Sequence, residues 1–166
     1  WGKTKEMLIL KNVLKKMPDL TFYWAGDGPY TEKIVEEFSE FKNFQWLGRL
    51  QYPKEVSEFL SSIDIYALIT GMDLAPLTLK EAQLMEKPVI ATNVGGIYEM
   101  MEDKMTGFLI NENDPDDLIE KLTILLDDED LRIKMGNRGK QFVIKKFNWS
   151  IIAKKFIENI KPHIKN

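Results

Sequence analysis

Residues 63 to 69 read Ile63-Asp64-Ile65-Tyr66-Ala67-Leu68-Ile69, apolar at nearly every position. A strand with one wet face alternates apolar and polar residues. A run without that alternation has both faces covered, as in a parallel sheet packed between two layers of helices. Four more short runs have strand composition: Leu20 to Ala25, Phe44 to Leu47, Pro88 to Ala91 and Thr106 to Ile110. Segments with helical spacing separate them, so strands and helices alternate along the chain. That alternation predicts a doubly wound, Rossmann-like α/β domain with five parallel strands.

The helical segments can be placed by their apolar positions and their stops. Residues Glu6 to Lys16 carry Met7, Leu8, Leu10, Val13 and Leu14 on one face, and Pro18-Asp19 ends the helix. Tyr30 to Glu40 presents Ile34, Val35 and Phe38, and Lys54 to Ser62 presents Val56, Phe59 and Leu60. A helix from Ile97 to Glu102 precedes the fifth strand. Asn113-Asp114-Pro115 starts the next helix, with proline at or near its first position. The acid run Asp127 to Asp130 resembles a metal site, but ending one helix and capping another explains it more simply. Leu131 to Phe147 forms one further helix and Trp149 to Ile164 the last. An apolar stripe of Ile152, Phe156, Ile157 and Ile160 on the last helix reads as core, or as a surface for a partner.

Composition narrows the function classes. A chain of 166 residues is long enough for one domain with a full core. A net charge of −3, from 23 basic and 26 acidic residues, argues against a nucleic-acid partner, because such binders usually carry a basic excess. The absence of cysteine excludes disulfides and thiolate metal sites within the chain and fits a reducing, cytoplasmic compartment. His163 is the one histidine, which argues against a histidine-rich metal site or a Ser-His-Asp triad. No apolar run approaches the length of a membrane span, and the first residues show no signal-peptide pattern. Trp1-Gly2-Lys3-Thr4 ends like a phosphate-binding loop but lacks the earlier glycine and preceding strand that such a loop requires.

The stretch with the most chemistry is Asp73-Leu74-Ala75-Pro76-Leu77-Thr78-Leu79-Lys80-Glu81-Ala82. It follows the apolar run and precedes the Pro88 strand, so it spans a strand-to-helix junction, where α/β sheets bind ligands. A fully helical path would separate Asp73 and Glu81 by roughly 12 Å, and a loop at its start would shorten that. Such a pair suits two hydroxylated groups on either side of a diphosphate held at the helix N-terminus. The alternative is that Asp73 is only an N-cap and Glu81 a solvated acid.

Several landmarks then fall into a familiar order. Gly26-Asp27-Gly28-Pro29 follows the first strand, and Phe44 to Gly48 ends in an aromatic-Leu-Gly pattern. Seven residues separate the two acids of the Asp73 stretch, which Lys87 to Thr92 and then Val94-Gly95-Gly96-Ile97 with Glu99 follow. Thr106 to Ile110 and Phe147-Asn148-Trp149 close the series. In this order and spacing they resemble the C-terminal, nucleotide-sugar-binding half of a GT-B-fold, family 4 retaining glycosyltransferase, one of the group 1 glycosyl transferases of the glycogen synthase and mannosyltransferase type.

The resemblance implies that residues 1–166 are a single domain of a two-domain enzyme, without its N-terminal acceptor domain and without the first strand of this half. It implies a UDP-, GDP- or ADP-sugar donor and retaining transfer of a hexosyl group, with neither a cofactor nor a metal required. By the same resemblance Asp73 contacts the donor sugar and Glu81 the ribose hydroxyls. The backbone of Leu74, Ala75 and Leu77 offers amides to the sugar or diphosphate, and Gly48 and Arg49 border the base. A carboxylate suits two neighbouring hydroxyls because its two oxygens accept from both. The implied N-terminal domain is also where peripheral membrane contact would arise.

Two departures from that pattern stand out. Asp73 replaces the family's usual glutamate and is one methylene shorter. The Arg and Lys that hold the diphosphate in related enzymes have no counterpart in register at Lys3 or Lys5. The isolated domain is therefore expected to bind nucleotide weakly and turn nothing over. A sugar-nucleotide epimerase of the same architecture and a degenerate interaction domain are the alternatives. A dinucleotide-dependent oxidoreductase fits less well, because no Gly-x-Gly-x-x-Gly follows a strand.

Overall fold

The computed structural model describes residues 3–163. Trp1 and Gly2 of the loop-like start, and Ile164 at the expected end of the last helix, lie outside the described residues. The elements run α1 (Lys3–Lys16), β1 (Phe22–Ala25), α2 (Thr31–Phe38), β2 (Phe44–Gly48), α3 (Lys54–Ser62), β3 (Tyr66–Leu68), α4 (Leu77–Leu84) and β4 (Val89–Thr92). A 3-10 turn at Ile97–Glu99, β5 (Gly107–Ile110), α5 (Pro115–Asp127), α6 (Glu129–Lys146), α7 (Trp149–Ile160) and a 3-10 turn at Lys161–His163 follow.

β4 is the centre of the core. All four of its residues are buried, with β3 and β5 paired in parallel on its two edges. Successive side chains point to opposite faces. Ile90 joins Ile9, Val13, Phe108, Leu118 and Leu122 beneath α1 and α5. Val89 and Ala91 join Leu60, Leu79, Ala82 and Ile97 beneath α3 and α4. Each such side chain fully withdrawn from water contributes ~1.5–3 kcal/mol, enough that neither helical layer can leave the sheet without unfolding it. This is the doubly wound arrangement the sequence predicts, with one difference. The five strands form two parallel ladders, β1-β2 and β3-β4-β5, rather than one.

In the smaller ladder Phe22 pairs with Phe44 and Trp24 with Trp46. Trp24 meets Phe38 and Phe44 edge-on at centroid distances of 6.5 and 6.0 Å, which fastens α2 to this ladder.

α4 is fixed from behind by α6. A Cβ on Gly136 would lie 1.8 Å from the Glu86 carbonyl oxygen, and one on Gly139 would press on the Gln83 side chain. The buried Gln83 amide donates to the carbonyls of Leu79 and Met100 at 3.2 and 2.9 Å. The expected caps form: Asp114 accepts from the Asp117 amide at 3.0 Å, and Asp128 from the Leu131 amide at 2.8 Å. The acid run is therefore helix-terminus chemistry.

Several expectations shift. In α1 the buried residues are Ile9, Val13 and Leu14, whereas Leu8 is exposed. β3 keeps only Tyr66–Leu68 of the longer apolar run, because Ile63 ends α3 and Thr70 turns its amide to Thr92. The Ile97 segment is a single 3-10 turn closed by Met100 N–H to the Ile97 carbonyl. No residue of α7 is buried, and Phe156 is 62% exposed, so its stripe is not core.

Replacing Gly136 by Ala forces α6 away from the turn after α4. The expected loss is roughly 1–3 kcal/mol, read as a lower urea midpoint with an unchanged slope.

Candidate functional site

The carboxyl ends of the parallel strands lie along one edge of the sheet, and the candidate residues follow them in the loops there. Asp73 lies beyond the end of β3, and Gly95 and Gly96 beyond the end of β4. These two loops touch backbone to backbone. The Gly96 amide donates to the Asp73 carbonyl at 3.0 Å. A Cβ on Gly95 would stand 2.0 Å from that same oxygen, and one on Gly96 would stand 2.1 Å from the Leu74 carbonyl oxygen. Gly95 also has a φ of +56°, which disfavours any side chain. The glycine pair is therefore the seat on which Asp73 and Leu74 rest. One hydroxyl ties the strand ends together just below: buried Thr92 accepts from the Thr70 amide at 2.9 Å and donates to the Leu68 carbonyl at 3.2 Å.

Asp73 is not the N-cap of α4. Pro76 occupies that position, and α4 opens at Leu77 without a side-chain cap. Asp73 instead folds its carboxylate back, accepting from the Ala75 amide at 3.2 Å. The Ala75 amide thus stabilises the loop, while the exposed Leu77 begins a helix whose first N–H groups lack a capping side chain. Four helical steps from Leu77 to Glu81 give a rise of about 6 Å, so the acid-to-acid path is not the fully helical one. The half-buried Glu81 carboxylate carries no hydrogen bond or ion pair among the described residues. Neighbouring Lys80 is turned away, its ammonium 5.0 Å from the Phe147 ring centroid.

Tyr66 and Thr78 support this helix and were not singled out by sequence. The Tyr66 hydroxyl donates to Thr78 Oγ1 at 2.8 Å, joining β3 to the first turn of α4. Burial, and then the negative charges of Glu81 and Asp73, push the Tyr66 hydroxyl above its ordinary value of 10.0, while the Thr78 bond opposes them. A polar aromatic residue inside an otherwise apolar run was the available signal.

Gly48 and Arg49 lie on the other ladder. Gly48 has a φ of +72°, its carbonyl accepts from Gly26 N–H at 2.8 Å, and Trp46 Nε1 donates to the Gly26 carbonyl at 2.9 Å. Arg49 is exposed beside this locked turn. The structure thus carries Asp73, Leu74, Ala75, Leu77 and Glu81 on one loop and helix after β3, and Gly48 and Arg49 on the β1-β2 ladder, where Arg49 lines the cleft between the ladders. Lys5 lines a small cavity of about 20 Å³ with Glu6, Gly71 and Glu112, room for one water. Among the described residues, no group of three or more carboxylates or imidazoles could hold a metal ion, and no helix is long and apolar enough to cross a membrane.

A family model described as glycosyl transferases group 1 matches residues 5–142. The chain belongs to that family. An uncharacterized glycosyltransferase of Methanocaldococcus jannaschii is 35% identical over 144 residues, covering 85% of this chain and 40% of that protein. The sulfoquinovosyl transferase of Arabidopsis thaliana is 30% identical over 151 residues, covering 89% of this chain and 29% of that protein. This glycosyl transferase chain therefore spans less than half the length of either relative. Among solved structures, Anabaena HepE in complex with UDP and glucose superimposes with a TM-score of 0.79 at 20% identity, over 92% of this chain and 43% of that one. The fold is that of the C-terminal half of a GT-B glycosyltransferase.

Two tests of this geometry follow. Gly95→Ala should drive the Asp73 loop off the end of β4 and cost roughly 1–3 kcal/mol, read as a lower urea midpoint of the natural polypeptide. Because the fold favours neutral Tyr66, the stability from this group is intact below pH 10 and is lost as pH rises toward its folded value. The difference in absorbance titration at 295 nm between the natural protein and Tyr66→Phe should give a midpoint above 10.

Proposed function

We propose that this chain is the donor-binding half of a glycosyltransferase that transfers a hexosyl group, with retention, from a nucleoside-diphosphate sugar. The observation that carries this reading is the convergence at the carboxyl end of β3. Two acids flank an uncapped helix N-terminus, and the Gly95-Gly96 seat fixes the first of them. Glu81 is the ribose ligand, its two oxygens accepting from vicinal hydroxyls. Asp73 is the donor-sugar contact, with one carboxylate oxygen already accepting from the Ala75 amide. The amides at Leu74, Ala75 and Leu77 face sugar and diphosphate, where the positive end of α4 favours anions. Gly48 and Arg49 border the base from the opposite ladder.

Relatives and structural neighbours support a nucleotide-sugar donor. HepE binds UDP, and a Corynebacterium glutamicum relative is a GDP-mannose-dependent mannosyltransferase. No organic cofactor or metal is assigned to the step. The acceptor belongs to an N-terminal domain, and the compartment we assign is the cytoplasm. Lys80 stacks on Phe147, while Lys5 lines the small cavity beside Gly71 and Arg49 the cleft between the ladders. Residues 1–166 alone therefore hold a diphosphate weakly.

Calorimetry with UDP-, GDP- and ADP-glucose and GDP-mannose on the natural polypeptide tests the reading. One of these donors should bind, and Glu81→Ala should weaken it by roughly 10- to 100-fold, the worth of a charged hydrogen bond. Unchanged affinity in Glu81→Ala, or silence with every donor, would discard it.

A further inference from the structure

Serine and threonine hydroxyls on a helix ordinarily bond back to that helix. Thr123 does so in α5, donating to the Ile119 carbonyl at 2.8 Å, and Ser61 in α3, donating to the Ser57 carbonyl at 2.7 Å. Thr78, in the first turn of α4, neither caps its helix nor bonds back within it among the described residues. Its oxygen instead accepts from the Tyr66 hydroxyl of β3 at 2.8 Å.

A stronger acceptor than Thr78 stands nearby. Thr78 and Glu81 are three residues apart on α4, which places their Cβ atoms ~5–6 Å apart on one face. Burial is the largest cause of the raised Tyr66 hydroxyl, and Glu81 and then Asp73 are the charges that add to it, so the phenol stands in the field of both acids. Hydrogen bonds to a carboxylate are about twice as strong as those between neutral groups. A phenol free to choose therefore donates to the acid. Tyr66 donates to the neutral threonine, and the Glu81 carboxylate carries no hydrogen bond or ion pair among the described residues. Lys80 lies over Phe147, and Asp73 accepts from the Ala75 amide.

We propose that Thr78 is a positioning residue for donor binding: it holds the Tyr66 proton away from Glu81 and so leaves that carboxylate free for a hydroxylated ligand. The inference rests on the reading of Glu81 as the ribose ligand. Without the Thr78 hydroxyl, the Tyr66 proton passes to Glu81, and a donor has to break that bond before both oxygens can accept from its hydroxyls. α4 itself stays in place, because Leu79 and Ala82 remain in the core and Gly136 and Gly139 of α6 still abut it.

Calorimetry on the natural polypeptide with UDP-, GDP- and ADP-glucose and GDP-mannose tests the proposal. Thr78→Val, which keeps the shape and removes the hydroxyl, should weaken the bound donor roughly 10-fold. Thr78→Ser, which keeps the hydroxyl, should not. Tyr66→Phe alone should not reproduce the loss. Combined with Thr78→Val it should restore affinity, because the competing proton is gone. A pair that merely braces α4 gives the opposite pattern, in which either variant weakens binding and the double variant is no better. That pattern would overturn the proposal. So would unchanged affinity in Thr78→Val where Glu81→Ala weakens the donor, a result that leaves the proposed function standing. Silence with every donor, or affinity indifferent to Glu81→Ala, removes the function and the inference together.

Discussion

The Gly96 amide reaches the Asp73 carbonyl at 3.0 Å because neither Gly95 nor Gly96 carries a side chain. That contact makes the loops after β3 and β4 one body. Thr92, buried beneath them, adds a hydroxyl bridge to Thr70 and Leu68. A loop on a sheet's edge is ordinarily its most mobile part. Here the loop carrying Asp73 is tied through Gly96 to the segment that leaves the buried strand β4.

α4 is held by a different route. Its inner face buries Leu79 and Ala82, its rear packs on Gly136 and Gly139 of α6, and its first turn is reached by Tyr66 through Thr78. Glu81 projects from a helix restrained on three sides while making no bond of its own. Side chains of this kind are suited to accept hydroxyls without first breaking a protein contact. Asp73 differs, since one of its carboxylate oxygens already accepts from the Ala75 amide. The shorter carboxylate is stabilised by its own loop.

The fold was legible because its signals are local. The unalternating run around β3, the apolar runs of β4 and β5, and the caps at Asp114 and Asp128 need only neighbours in sequence to be read. The junction bearing Asp73 and Glu81 was legible for the same reason. What escaped depends on distant backbone. The Gly95-Gly96 pair appears as a flexible loop until Asp73 is seen against it. Tyr66 is an ordinary strand aromatic until Thr78 is found at 2.8 Å. In α1 the apolar spacing admits either Leu8 or Ile9 on the inner face, and only the position of the sheet chooses Ile9. The division into two ladders has no local signal, because each strand is well formed by itself.

α7 carries a consequence of its own. Twelve residues is about the length at which an isolated helix becomes marginal in water. With Ile152, Phe156 and Ile157 facing solvent, its turns draw little support from the body. The Asn148 cap, bonded to the Ser150 amide at 2.9 Å, fixes one end only. Its helicity is therefore sensitive to whatever surface covers that stripe, and far-ultraviolet ellipticity from this segment would report contact with the remainder of the polypeptide.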